Sequence, residues 1–420
     1  MTPTASLLIA AYDAAVEACD PERAVSAAIT IDDGGITIGG ERFHGANPGD
    51  IVVVAIGKAA SAMVRGVVAV LGPVRGLAVS NHDGDCSVPL LVGAHPVPDE
   101  TSLSAGESLL SFVGSLAPDD VVVYLISGGG SSIAVAPAVG VSVSDLADLN
   151  RMLMATGVPI GDMNEVRASV SRLKGGRLAG ACPADRSVTL VLSDVVGVGP
   201  SHVASGPTLG AGMGTAAGSV VARYGIADAL PTSVRTAIGA SSVEPTRHQP
   251  FLVVGSTEVA ADAAARYLAS HGVGSIIVTT QLEGEATVEA RGFVHDADNG
   301  IVTIATGETT VTVVGNGVGG RNQEAALAAA IDISSSTTAF LACGTDGIDG
   351  PTPAAGAVVD GRTAERARAM GLDLEHALAR NDSHTALSAL GATVLRGNTG
   401  TNVADLWMVA KGSSLVPPSA

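Results

Sequence analysis

Three kinds of side chain in this sequence have the type and spacing to do chemistry: cations beside glycine turns, carboxylates ending apolar runs, and hydroxyls in a glycine loop. Lys58 follows Gly57 at the end of DIVVVAIG, where an ammonium would project from a strand end toward an anion. Arg321 follows GNGVGG and opens RNQEAALAAA. A guanidinium there can grip a phosphate or carboxylate through two parallel N–H bonds. The run Ser127, Gly128, Gly129, Gly130, Ser131, Ser132 offers successive backbone N–H groups and hydroxyls, suited to the same kind of anion. In NEVRASVSRLKGGRLA, spacings of four and three place Arg167, Ser171 and Lys174 on one face of a helix expected from Asn164 to Ala181. Asp194 closes SVTLVLSD, while Asp346 and Asp349 lie in GTDGIDG. Each is a candidate to bind Mg2+, which takes few carboxylates plus phosphate oxygens, or to accept a hydroxyl proton. Aspartates and glycines are also ordinary turn formers, so the pattern alone leaves both readings open.

The stretch TTVTVVGNGVGGRNQEAALAAA reads as strand, glycine loop and helix, which puts unpaired N–H groups and a positive dipole end behind the glycines. Gly315, Gly317 and Gly320 spell the G-x-G-x-x-G pattern of dinucleotide folds. The pattern stands late in the chain and ends in Arg321 and Asn322 instead of a small residue, which favours a loop built to present Arg321. There is no Walker A loop, because GK at Gly57–Lys58 is followed by two alanines and lacks the upstream glycine. The nine histidines show neither H-x-H nor H-E-x-x-H, and His95 in HPVPDE reads as a positioned hydrogen-bonder, not a zinc ligand.

The elements that must hold these residues follow from the apolar runs. IVVVAI, GLAVS, VVVYLIS and SVTLVLS are apolar throughout and alternate with helical segments, the signature of a parallel sheet covered on both faces. Ligands of such sheets bind beyond the carboxyl ends of the strands, where this chain carries GKAA, SNHDGD, HPVPDE, SGGGSS and SDVVG. The pattern loosens between Gly206 and His248, and FLVVGST begins a second α/β unit. The expected division is 1–240, 248–412 and a tail at 413–420. The 420 residues carry 46% hydrophobic but only 2% aromatic residues and 53 glycines, as expected of cores built from small aliphatic residues and many tight strand-to-helix turns. A formal net charge of −18 opposes a nucleic-acid or anionic membrane surface, though a local cationic cleft can still take an anionic small molecule. Cys19, Cys86, Cys182 and Cys343 are scattered without C-x-x-C spacing, no basic leader opens the chain, and the longest apolar stretch is broken by Lys58 and Arg65. The expectation is a soluble, cytoplasmic protein with reduced thiols.

Eight segments in order, VAIGKAASAM, GAHPVPDE, LISGGGSSI, MNEVRASVSRLKGGRLA, SDVVG with SGPT, GETTVTVVGNGVGGRNQE, GTDGIDGPTPAAGA and TGTNVADL, resemble the two-domain glycerate 2-kinase family whose C-terminal half is the MOFRL domain. The resemblance spans nearly the whole chain. It implies an N-terminal Rossmann-like α/β domain, a second α/β domain, and an active site in the cleft between them. It also implies that ATP and Mg2+ are the cofactors, that the 2-hydroxyl of D-glycerate or a close sugar acid is phosphorylated, and that 2-phosphoglycerate is the product. On the matching positions it makes Lys58 and Arg321 the catalytic pair, with Asp194 a further catalytic candidate. Asn164, Arg167, Lys174, Gly317, Gly319, Gly320, Asn322 and Glu324 are expected to line the substrate and phosphate site. Two departures bear on the sugar acid: SDVVGVGP carries Val198 and Gly199 where the family has an acidic pair, and GST stands near residue 256 in place of GSN. The competing readings are an NAD(P)H-dependent hydroxypyruvate reductase, with Asp346 following the glycine loop, and a non-catalytic sugar-acid binder. Composition does not determine the oligomeric state.

Overall fold

The computed structural model describes residues 2–210, 212–240 and 249–412, so the expected tail at 413–420 lies outside the described residues. The chain divides into two compact units, Pro21–Val254 and a second unit made of Met1–Asp20 with Gly255–Ala420. This division departs from a simple cut near 240–248. The opening helix Pro3–Ala18 buries Leu8, Ala11, Tyr12 and Ala15, packs against the helix Thr257–Ser270, and donates the Tyr12 hydroxyl to the Gly344 carbonyl at 2.8 Å. Burial of that apolar face fixes the helix to the C-terminal segment despite its position in sequence.

In the Pro21–Val254 unit, β1 (Ile29–Asp32), β2 (Gly35–Ile38) and β3 (Glu41–His44) form an antiparallel meander, one strand more than the hairpin legible in ITIDDGGITIGGERF. The main sheet comprises β4 (Ile51–Ile56), β5 (Arg75–Ser80), β6 (Leu90–Val92), β7 (Val121–Ser127), β8 (Arg186–Leu192) and β9 (Phe251–Gly255), in the order β6-β5-β4-β7-β8-β9. The pairs β5–β6, β4–β5, β4–β7 and β7–β8 are all parallel. Every residue of β4 and β7 is buried, as a sheet covered on both faces requires. The chain runs outward from β4 to β6 and then returns to β7 on the other side of β4. The switch in direction therefore falls at the carboxyl ends of β4 and β7, where doubly wound sheets open a ligand crevice. The helix expected from Asn164 to Ala181 is interrupted. One helix ends at Ser169, Ser171 bridges to Pro137, and Gly175 and Gly176 take left-handed φ of 64° and 82° before a short turn at Arg177–Gly180. A helical spacing of four and three thus does not apply to Ser171 and Lys174.

The other unit is built on β10 (Ser275–Leu282), β11 (Val302–Gly307), β12 (Ala339–Gly344), β13 (Gly356–Asp360), β14 (Thr393–Val394) and β15 (Asp405–Ala410), ordered β10-β11-β15-β12-β13-β14. Only β10–β11 is parallel; the other pairings are antiparallel. The strand expected at TTVTVV lies earlier, at VTIATG. After Gly307 the chain leaves the sheet, and Val313 and Val314 are 72% and 78% exposed. Buried Trp407 packs edge-to-face on Phe340 and Phe293, centroids 5.6 and 6.2 Å away, beside an alanine-rich helix at Arg321–Asp332.

Candidate functional site

At the switch point of the parallel sheet, Gly57 ends β4 with φ 125°, and a side chain there would collide with Ser127. This turn brings the Lys58 N–H to the Gly128 carbonyl at 3.0 Å and the Ala59 N–H to the Ser127 hydroxyl at 3.1 Å. The exposed Lys58 side chain runs beside Gly129, whose position a Cβ would fill 3.1 Å from Lys58 Cγ and Cε. Gly128 is pinned from the other side, since a Cβ there would strike the carboxylate of Asp194 at the end of β8. Lys58, the SGGGSS loop and Asp194 therefore meet at one rim, as their strand-end positions predict. His95 belongs to this rim as well: burial, then the charge of Lys58, holds its imidazole below the usual histidine range.

Beneath the loop lies a chain of polar contacts. The Ser131 and Ser205 hydroxyls are 2.7 Å apart, Ser205 donates to Asn164 Oδ1 at 2.8 Å, and Asn164 Nδ2 donates to the His202 carbonyl at 3.1 Å. Ser205 was not legible as a site residue. Its signal is conformational: Ala204, Ser205 and Gly206 all take positive φ (54°, 58° and 60°), which places a hydroxyl where regular backbone would not. Lys174 reaches the loop from below, with Nζ donating to the Ser131 carbonyl at 2.7 Å, and is 6% exposed. Arg167 is half-buried and donates Nε to Asn150 Oδ1 at 2.8 Å. Lys174 thus supports the anion loop from within instead of presenting its ammonium to solvent.

Burial, and secondarily the charge of Arg167, pulls the Lys174 ammonium down to about 7. A lysine with a lowered folded pKa is deprotonated in the folded state while still protonated in the unfolded one, so the unfolded chain binds the extra proton between pH 7 and the ordinary lysine value. Stability contributed through this group must rise with pH across that window. The expected result is an unfolding temperature that climbs from pH 7 to 9 more steeply in the wild type than in Lys174→Met, compared by calorimetry at matched ionic strength. Parallel pH profiles in the two proteins would remove Lys174 as the titrating group.

In the other unit the glycine loop serves packing. The Gly315 N–H and Val314 N–H donate to Asn381 Oδ1 at 2.9 and 2.8 Å, Gly317 N–H to the Arg380 carbonyl at 2.9 Å, and Val318 N–H to Asp382 Oδ1 at 3.1 Å. A Cβ at Gly317 would strike Asp382, at Gly319 Ser383, and at Gly320 Asp349. The helix behind the loop already has its anion. Asp349 accepts from the Asn322 and Gln323 N–H groups at 3.1 and 2.9 Å and from both their side-chain amides at 3.3 and 3.0 Å. Of the residues expected to line a phosphate site here, Gly317 and Asn322 give their N–H groups to the Arg380 carbonyl and to Asp349, while Ser383 and Asp349 fill the space a side chain would take at Gly319 and Gly320. Asp349, a metal candidate in the sequence, has both oxygens engaged by a helix N-terminus. Glu324 is 4% exposed, accepts from Asn381 at 2.9 Å, and is pushed by burial up to about 7. Asp346 is half-buried, accepts from the Ile348 N–H at 3.1 Å, and is raised by burial.

Arg321 opens the helix and is 34% exposed along its side chain. It donates Nε and Nη2 to Asp405 at 2.6 and 3.1 Å and Nη1 to Glu308 at 2.7 Å. Asp405 lies 84 residues downstream, in TGTNVADL, and was not legible as a site residue, because an acid opening an apolar strand does not say which distant side chain it meets. Among the described residues no group of three or more His, Cys, Asp or Glu side chains converges as a metal-binding set. Among the described residues, no helix is long and apolar enough to cross a membrane.

Comparison with known proteins adds independent findings. Residues 7–239 match a domain of unknown function, DUF4147, and residues 301–405 match the MOFRL family. A glycerate 2-kinase of Pyrococcus horikoshii is 36% identical over 413 residues, covering 93% of each chain. A protein of Agrobacterium vitis with the provisional name hydroxypyruvate reductase is 37% identical, over 96% of this chain and 93% of its own. The crystal structure of a glycerate kinase from Thermotoga maritima superposes with a TM-score of 0.85 at 34% identity, covering 97% of this chain and 99% of that one.

Proposed function

The chain belongs to the glycerate 2-kinase family with a MOFRL domain, and from that premise we propose that it is a kinase transferring the terminal phosphoryl group of Mg-ATP to the 2-hydroxyl of D-glycerate or a close sugar acid. The observation that carries this reading is the meeting of Lys58, the Ser127–Ser132 loop and Asp194 at the switch point of a parallel sheet. Phosphoryl transfer asks the protein mainly to position its reactants and to neutralise charge on the phosphoryl oxygens. In this reading the Lys58 ammonium offsets charge on the transferred group, and the loop orients the substrate's carboxylate or a phosphate. Asp194 accepts the proton of the attacking hydroxyl or holds Mg2+, which when bound shields the phosphate oxygens. Arg321, whose guanidinium keeps open donors, supplies a second cation for the reaction.

The provisional name of the Agrobacterium vitis relative keeps a reductase in view. The glycine loop argues against it, because a dinucleotide turn needs free N–H groups, and here Asn381, Asp382 and Asp349 accept from the Gly315, Val318 and Gln323 N–H groups. The test is a coupled assay for ADP release with D-glycerate and longer aldonic acids, run beside NADH oxidation with hydroxypyruvate. ADP release that depends on both sugar acid and Mg2+ is expected. NADH consumption without ADP release overturns the kinase reading.

A further inference from the structure

Arg321 stands at the first residue of a helix, at the positive end of its dipole, which disfavours a cation. Helix stability therefore does not account for an arginine here; its position has to be enforced. The enforcing group is Asp405, 1% exposed, which grips one edge of the guanidinium through Nε and Nη2 at 2.6 and 3.1 Å. Asp405 is itself immobilised. Its Oδ1 accepts from Asn322 Nδ2 at 2.9 Å, and Asn322 Oδ1 accepts from Nε1 of fully buried Trp407 at 2.9 Å. Asp405 opens β15 opposite Gly307 of β11 and Gly344 of β12, so neither neighbouring strand places a side chain beside it. A guanidinium has five N–H donors; Asp405 takes two and Glu308 one, which leaves one on each terminal nitrogen.

We propose that Asp405 is a positioning residue for the phosphoryl-transfer reaction, holding Arg321 by one edge so that its two remaining donors face the reacting anion in a fixed orientation. The proposal rests on the kinase reading and on the part assigned there to Arg321. A stabilising role alone explains the pair poorly. Burying a carboxylate against an arginine seldom adds net stability, and burial pushes Asp405 up to about 6 although Arg321 pulls it down. Orientation is what a two-bond grip adds over a single charge contact.

The test is a double-mutant cycle on the full chain with D-glycerate and Mg-ATP, joined to chemical rescue. Asp405→Asn keeps the shape but loses one acceptor and the charge, and misorientation of this kind is expected to lower kcat by ~100-fold with KM for glycerate roughly unchanged. Combining it with Arg321→Ala is expected to be no slower than Arg321→Ala alone, because both remove the same function. Millimolar guanidinium ion is expected to restore turnover to Arg321→Ala but not to the double variant, which lacks the carboxylate that would seat the ion. If Asp405→Asn fails to fold, Asp405→Glu keeps the charge while displacing the guanidinium, and the same kcat loss is expected. Losses that multiply, rescue that is equal in the two backgrounds, or normal kcat in Asp405→Asn overturn the proposal and leave the kinase reading standing. Full turnover in Arg321→Ala removes Arg321 and Asp405 together, and a wild-type protein that releases no ADP removes the reaction itself.

Discussion

Lys58→Ala is expected to lower kcat for glycerate phosphorylation by ~1000-fold, the loss that follows removal of one preorganised charge aimed at a developing anion. The side chain is exposed, and it is the backbone of Lys58 that bonds to Gly128 and Ser80. The variant should therefore unfold at the wild-type temperature, which separates a chemical loss from a folding loss. Lys58→Arg is expected to recover only part of the rate, because a planar guanidinium on a different stem cannot reproduce a compact ammonium beside Gly129. Single-turnover kinetics decide the question, since a slower chemical step must appear there even when product release limits the steady state. Near-normal turnover in Lys58→Ala would remove the residue from the mechanism, and the rim at the ends of β4 and β7 would need another cation.

The second large effect is at Arg321. Arg321→Ala is expected to cost ~1000-fold in kcat, in line with an arginine that stabilises charge on a transferring phosphoryl group. It also strands Asp405, and the expected destabilisation is ~1–3 kcal/mol, at the low end because about a third of the arginine side chain meets water. Arg321→Lys separates the two effects. It keeps a cation against Asp405 and most of the stability, but loses the planar fork, so kcat should still fall by ~100-fold. Paired measurements of kcat and of urea unfolding are the check. A lysine variant with wild-type kcat would show that Arg321 supplies charge alone and that its orientation is immaterial. The sign of the pH dependence follows from Asp405. With its carboxyl held near 6 by burial, its grip on Arg321 weakens as pH falls through that value, and the Arg321-dependent part of kcat should weaken with it.

Much of the rim was legible because it is written locally. An apolar run followed by Gly57 and Lys58, another followed by SGGGSS, and a third ending in Asp194 each state that a strand ends in polar residues. The parallel-sheet rule then gathers those ends at one edge. Ser205 was missed because its placement depends on three successive positive-φ residues, a conformation that the letters SGP hint at but do not specify. Lys174 was read as a site residue, yet assigned to a helix face, because the helix ends at Ser169 and Ser171 pairs with Pro137, a break that no residue type in NEVRASVSRLK announces.

The amino-acid sequence by itself determined the two α/β units, the parallel sheet, the family and the cationic and acidic strand ends, since these rest on periodicity and on short motifs whose residues are neighbours in the chain. Only the tertiary structure decided what the glycine loop is for. Whether an N–H is free for a ligand depends on which distant segment lies against it, and here residues 380–382 accept from Gly315, Gly317 and Val318 while Asp349 accepts from Asn322 and Gln323. The same holds for Asp405, 84 residues from the arginine it grips. Strand pairing between β15, β11 and β12 brings the two together, and no local pattern encodes a pairing across that distance.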